Sequence, residues 1–354
     1  MKKPSVHFMG VGGSGASATA AIASAQKYQV SGCDLDEKSP YLKPLKKLKI
    51  PFFSGHSINH LKSIDILAIS PAVKYQSSDH PEYQSALEQK KVLTWQEFIG
   101  RYLHEGKQVI CIAGAHGKST TTALIGLAAE ESGLDPTVEL GATVTKWSAN
   151  FRLGKGNIFI SEADEFNNNF LNFHPHYLII NNIEMDHPDF FPDLDTLKNS
   201  YLSLVKNLTG PKILIANLDD PILNQLLTDN LQQLKDLQIT LVGVRLKNES
   251  FPACEQEFIG QIISSSSDGI SFSVSVKSGD ATIPLDKFKI PLTGLHHVSN
   301  CLAVIAVGQV LNLPTHAIKK SLLSFAGVGR RLEEVGEKSG IKICLDYAVH
   351  PTEV

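Results

Sequence analysis

Twice in this chain a short apolar strand pattern runs into a glycine-rich loop and then into a helix of small residues. Ser5–Met9 precedes Gly10-Val11-Gly12-Gly13-Ser14-Gly15, and Gln108–Ala113 precedes Gly114-Ala115-His116-Gly117-Lys118-Ser119. Strand, glycine loop and helix in that order open an α/β unit whose loop amides and helix N-terminus face an anion. Two such openings imply two α/β domains. A chain of 354 residues has room for two domains of ~100–150 residues and the start of a third.

The rest of the pattern agrees. After the helix Ala16–Ala25 comes a strand, Gln29–Cys33, ending at Asp34, then Ile64–Ser70, a helix Pro81–Gln89 and Val92–Leu93. This is a doubly wound, Rossmann-like arrangement, assigned to residues 1–104. The polar break His104-Glu105-Gly106-Lys107 leads into a central domain, 105–328, of the P-loop ATPase-like α/β kind. Its strands are Asn157–Glu162, Tyr177–Asn182, Lys212–Asn217 and Thr240–Val244, with helices at Leu194–Leu208, Val298–Leu311 and Thr315–Ser324. Within 262–290, Ile263, Ile270, Phe272, Val274 and Val276 alternate with polar residues, which predicts a small antiparallel insertion. The apolar run Lys342–Asp346 reads as the first strand of a third Rossmann-like domain, 329–354, that is almost absent.

A net charge of -3 lacks the basic footprint that nucleic acid requires. The five cysteines are scattered without a CxxC pair, as in a reducing compartment. No stretch approaches the ~20 apolar residues of a membrane span. The expectation is a cytoplasmic protein with no nucleic-acid or membrane partner.

The second loop carries the sharper chemistry. Lys118 offers a positive charge to β/γ-phosphates, Ser119 a hydroxyl to Mg²⁺, and the loop amides a cradle, although the spacing is shorter than GxxxxGK[ST]. Capping of the helix by Ser119 alone would require neither the lysine nor the glycines. Mg²⁺ wants oxygen donors, and two clusters supply them. Ser161-Glu162-Ala163-Asp164-Glu165 and Asn181-Asn182-Ile183-Glu184-Met185-Asp186-His187 each end a strand. In a parallel sheet both emerge at the loop edge. The first loop is less specific, since the same glycines serve a diphosphate site or a tight turn. Asp34 after the second strand suits a ribose hydroxyl or a turn cap, so a nicotinamide dehydrogenase is an open alternative.

In family order, the chain carries Gly10–Gly15, Gly114–Thr121, Glu162-Ala163-Asp164-Glu165, Asn182–His187, Gly294-Leu295-His296, Arg330-Arg331-Leu332-Glu333, Asp346-Tyr347-Ala348 and His350-Pro351-Thr352-Glu353. In these motifs it resembles the Mur ligases, ATP-dependent amide-forming enzymes of peptidoglycan precursor synthesis, and most of all those that add L-alanine. The resemblance implies ATP and Mg²⁺ as cofactors and the joining of L-alanine to the lactyl carboxylate of UDP-N-acetylmuramate through an acyl phosphate. It implies catalytic roles for Lys118, Glu162 and His187. ATP would be held by Gly114, Ala115, His116, Gly117, Lys118, Ser119, Thr120, His296, Asn300 and Arg331, and the metal by Ser119, Glu162 and His187. Gly10, Gly12, Gly13, Ser14, Gly15, Asp34, His56, Ser70 and Pro71 would receive the UDP-sugar. The molecule would be a monomer or weak homodimer.

Several positions depart from the family pattern: His297 replaces an asparagine, Leu345 an acid and Val349 a histidine, and Phe166-Asn167-Asn168-Asn169 is an unusual continuation. Two further readings stay open. One is a ligase that attaches a preformed tripeptide to the same sugar acid; the other is a non-catalytic UDP-sugar or ATP binding fragment.

Overall fold

The computed structural model describes residues 3–246, 251 and 253–354. Its strands are β1 (Ser5–Met9), β2 (Gln29–Asp34), β3 (Phe52–Ser54), β4 (Ile66–Ile69), β5 (Val92–Thr94), β6 (Gln108–Ala113), β7 (Thr137–Val144), β8 (Ala149–Arg152), β9 (Ile158–Glu162), β10 (Tyr177–Ile180), β11 (Ile213–Asn217), β12 (Thr240–Arg245), β13 (Gln256–Ser266), β14 (Gly269–Ser278), β15 (Ala281–Ile290), β16 (Glu333–Lys338) and β17 (Ile341–Leu345). They fall in two compact units, one of residues 1–107 and 137–155, the other of 108–136 and 156–354. No helix among the described residues is long and apolar enough to cross a membrane.

In the first unit a five-stranded sheet runs in the order β3-β2-β1-β4-β5, and its pairings are parallel. Order reverses between β1 and β4, the crevice where doubly wound folds hold ligands beyond the strand ends. Both ends there carry predicted site residues, Gly10 after β1 and Ser70-Pro71 after β4. Below them lies a core of Met9, Cys33, Leu61, Ile64, Leu67, Ile69, Val73, Tyr83 and Ala86.

The helix Ser14–Ala25 is buried continuously from Gly15 to Ala23. A helix apolar on all sides must be covered on all sides. The cover beyond the sheet is the antiparallel pair β7–β8, and Asn150 donates from this pair to the Ser14 carbonyl at 2.7 Å. Residues 137–155, assigned by pattern to the central domain, therefore group with the first unit. The reason is tertiary: the alanine-rich helix has a second face that no local signal allocates.

In the second unit eight strands follow the order β15-β14-β13-β12-β11-β10-β6-β9, and from β13 to β9 the pairings are parallel. The expected antiparallel stretch forms as β13–β14–β15 and joins the main sheet through β13. Ile270, Phe272 and Val274 alternate inward as expected, but Ile263 is exposed. The register skips it between Ile262 and Ser264, and an extra residue in one strand turns its side chain out of the pattern.

The strand expected at Lys342–Asp346 forms as β17, paired antiparallel with the polar strand β16. Leu332, Val335, Ile341, Ile343 and Leu345 of this ribbon are exposed.

Candidate active site

In the second unit β6 ends at Ala113, and its neighbours carry functional groups to the same edge. Glu162 is the register partner of Ile112 on β9; on the other side Ala113 pairs with Ile180 and accepts from the Asn181 amide at 3.0 Å. The loop between them is pinned by asparagines. Asn182 Oδ1 accepts from the His116 amide at 2.8 Å, and its Nδ2 donates to the His116 carbonyl at 3.1 Å. Asn181 donates to the same carbonyl at 3.3 Å and to Thr121 Oγ1 at 3.1 Å. Asn217 at the end of β11 fixes Asn181 in turn, donating to its carbonyl at 2.9 Å.

Lys118 opens the helix Lys118–Glu131. Its Nζ donates to Glu165 Oε2 at 2.9 Å and Oε1 at 3.2 Å, with Asp164 at 3.8 Å. Burial works against the ammonium charge, but Glu165, Asp164 and Glu162 outweigh it and hold Lys118 above the ordinary lysine range. The lysine is therefore a permanent cation, which is what contact with polyphosphate needs. Ser119 Oγ donates to Glu162 Oε2 at 2.8 Å.

Of the metal ligands expected from the sequence, Ser119 and Glu162 bond directly, and His187 lies with Asp164 and Glu165, whose ligand atoms are within 4.8 Å of one another. Lys118 contacts both of these acids. His187 takes a left-handed backbone, with φ of 54°, and its ring lies 4.9 Å from that of Phe166.

The unusual Phe166–Asn169 segment explains itself here. Asn167 and Asn168 adopt φ of 54° and 55°, a region asparagine enters more readily than most residues. Asn168 also accepts a hydrogen bond from Ser200. This turn returns the chain so that Glu165 points at Lys118.

A second network reaches the loop from the chain's last residues. His116 Nε2 meets Glu184 at 2.8 Å and its Nδ1 meets Glu353 at 3.4 Å. Arg331 bonds Glu353 at 2.7 Å, His350 Nε2 lies 3.1 Å from the Met185 carbonyl, and Thr352 donates to Glu184. Arg331, expected near phosphates, thus reaches the loop through Glu353 and His116. Sequence reading missed Glu165, Glu184 and Glu353 as partners of the loop. For the first two the signal was present as acids at strand ends, but which acid meets which base depends on the turns that follow.

Asn300 lies against the loop, since a Cβ on Gly117 would stand 2.7 Å from its Oδ1. His296, one turn earlier on the helix Leu295–Val310, is exposed and its ring lies 4.2 Å from that of His297. Burial, aided by His296, lowers His297 to about 4, and its Nδ1 has no hydrogen-bond partner. A histidine neutral in the fold but protonated when unfolded removes stability as pH falls from the unfolded value near 6.5 toward 4. His297→Asn should flatten this acid limb in urea unfolding followed between those pH values. An unchanged slope would show that His297 protonates equally in both states.

In the first unit Gly10 through Gly15 turn between β1 and its helix, and the Gly10 and Val11 amides donate to the Cys33 carbonyl. Asp34 accepts from the Gly12 amide at 2.7 Å and the Asp36 amide at 2.9 Å. These bonds hold the carboxylate against the glycine loop, as the turn-cap reading expects. Ser39 donates to the Gly12 carbonyl at 2.6 Å. Ser70 abuts Gly10, whose added Cβ would fall 2.9 Å from the serine Cβ, and its amide donates to the Met9 carbonyl. His56 Nδ1 lies 3.1 Å from Cys33 Sγ.

Residues 5–105 match the Mur ligase family catalytic domain and residues 112–308 the Mur ligase middle domain. The UDP-N-acetylmuramate--L-alanine ligase of Caldicellulosiruptor bescii is 35% identical over 355 residues, spanning 98% of this chain and 72% of that protein. The protein of the same name from Myxococcus xanthus is 32% identical across 99% of this chain and 70% of its own. Among solved structures, the UDP-N-acetylmuramate-alanine ligase of Thermotoga maritima superposes with a TM-score of 0.78 at 25% identity, over 99% of this chain and 75% of that one. The UDP-N-acetylmuramate:L-alanyl-gamma-D-glutamyl-meso-diaminopimelate ligase of Neisseria meningitides shares the fold, with a TM-score of 0.77 at 22% identity over 93% of this chain and 100% of that one. Two family models in chain order over the two glycine-loop units, and relatives alike along nearly the whole sequence, establish that the chain belongs to the Mur ligase family.

Proposed function

We propose that this chain acts in the ATP-dependent joining of L-alanine to the lactyl carboxylate of UDP-N-acetylmuramate. The observation that carries the proposal is the placement of a charged Lys118 and the Ser119–Glu162 pair on one loop edge of a parallel sheet. That placement suits polyphosphate, and the names of the relatives supply the substrates.

In this reading the loop amides and Lys118 hold the β/γ-phosphates. Ser119 and Glu162 are hard oxygen donors 2.8 Å apart, which fits Mg²⁺; His187, beside Asp164 and Glu165, stands ready to complete a second-sphere or direct contact. The bound ion would supply neutralisation of phosphate charge. A carboxylate oxygen of the sugar acid attacks the γ-phosphorus, the bond to the β-phosphate oxygen breaks and ADP leaves. The amine of alanine then attacks the acyl phosphate carbonyl, loses a proton and expels inorganic phosphate. Positioning and charge neutralisation account for the first step, and no protein nucleophile is required. The glycine loop of the first unit would take the UDP diphosphate at the β1/β4 switch point.

The test is phosphate release from ATP with UDP-N-acetylmuramate and either L-alanine or the tripeptide as amine. Release with alanine is the expected result. Release only with tripeptide would shift the substrate to that of the Neisseria-type ligase, and nucleotide binding with no release would leave a binding module.

A further inference from the structure

Beneath the first glycine loop lies a group of metal-ligating side chains that the ligase reaction does not use. His7 on β1, Cys33 on β2, His60 in the turn Ile58–Ser63 and Glu82 on the helix Pro81–Glu88 each offer one donor atom, all within 4.8 Å of one another. His7, Cys33 and Glu82 are fully buried, and His60 nearly so. Glu82 Oε1 lies 3.0 Å from His60 Nδ1 and 3.6 Å from His7 Nε2, and its Oε2 lies 3.9 Å from Cys33 Sγ. Donors at zinc distances of ~2.0–2.3 Å in a tetrahedron stand about 3.3–3.8 Å apart. The observed spacings straddle that range.

The geometry points to a buried tetrahedral site for a borderline-soft divalent cation, Zn²⁺ foremost, held by His7, Cys33, His60 and Glu82.

Three observations carry this. His7 Nε2 is buried and has no hydrogen-bond partner, while its Nδ1 is fixed at 2.8 Å from Ser31 Oγ. An outer partner on one nitrogen that orients the other is the usual arrangement of a ligating imidazole. Second, no lysine or arginine pairs with the buried Glu82 carboxylate among the described residues; its partners are His7, His60, Cys33 and the Ser57 amide. Third, the charges close. One carboxylate, one thiolate and two neutral imidazoles balance a dication, whereas hard cations such as Mg²⁺ seek all-oxygen sets. Binding as the chain folds would release the Cys33 proton to solvent.

Such an ion would tie four segments together directly under Gly10, whose amide donates to the Cys33 carbonyl. Because the site is buried, the ion enters as the chain folds.

The full chain should be produced in medium containing Zn²⁺ or Co²⁺, dialysed against chelator while folded, and assayed for metal content and absorption. Expected are one equivalent of retained metal per chain and, with Co²⁺, thiolate-to-metal charge transfer with intense tetrahedral bands. Both should be lost in Cys33→Ser, and the tetrahedral bands weakened in His60→Asn, a change at the least buried ligand. No retained metal in the wild-type chain overturns the proposal, whatever the variants do. A thiolate band that persists in Cys33→Ser also overturns it, since one of the other cysteines, Cys111, Cys254, Cys301 or Cys344, would then be the ligand. ATP-dependent phosphate release is not the readout, so failure here leaves the ligase reading untouched.

Discussion

Lys118→Ala is expected to lower ATP-dependent phosphate release by about 10²–10³-fold or more, the scale of removing one preorganised electrostatic contact, while leaving UDP-N-acetylmuramate binding in place. The structure adds a second consequence. Lys118 is the cation against Glu165, which is 1% exposed. Removing one partner of a buried pair strands the other charge and costs about 3–5 kcal/mol. A simple alanine variant therefore mixes catalytic loss with destabilisation. The paired variant Lys118→Met/Glu165→Gln separates them, because it removes both charges at nearly constant volume. Urea unfolding should show most of the stability restored, and the phosphate assay should show no recovery. Turnover that returned with stability would mean that Lys118 serves the fold and not the phosphates.

Gly117→Ala is expected to be comparably damaging, for steric reasons. Gly117 has φ of 79°, and an added Cβ would stand 2.7 Å from Asn300 Oδ1 and 3.1 Å from Asn181 Nδ2. Left-handed strain of about 1–2 kcal/mol adds to an overpacking cost of about 1–3 kcal/mol. Asn181 is also the residue that ties the loop to Thr121, so displacing it moves the amides that would face phosphate. The control is Gly133→Ala at the other end of the same helix. Its φ is 80°, but an added Cβ there meets nothing within 4 Å, so only the strain remains. ATP binding by calorimetry should fail in the first variant and survive in the second. Equal affinity in the two would refute the role given to loop geometry.

Much of the fold is legible in the amino-acid sequence. The parallel strands β4, β6, β9, β10, β11 and β12 announce themselves as short, mainly apolar runs, because strands buried on both faces have little polar alternation to obscure them. The two glycine loops follow directly. Less visible were β3 and β16, short or polar, and the pair β7–β8, whose partner is a helix more than a hundred residues earlier. A β-bulge misdirected Ile263, since one extra residue inverts a period-two pattern.

Within the candidate site the same division holds. Sequence determined which groups are present and at which edge: Lys118 and Ser119 after one strand, Glu162, Asp164 and Glu165 after another, Asn181 to His187 after a third. A strand delivers its last residues to a known end of a parallel sheet, so local order suffices for that. Only the tertiary structure decided the pairings. Lys118 meets Glu165 and not Glu162, His187 joins Asp164 and Glu165, Asp34 caps Gly12, and His7, Cys33, His60 and Glu82 converge from four segments. Side-chain contacts are set by sub-ångström differences in turns and packing, and those depend on residues far away in the chain.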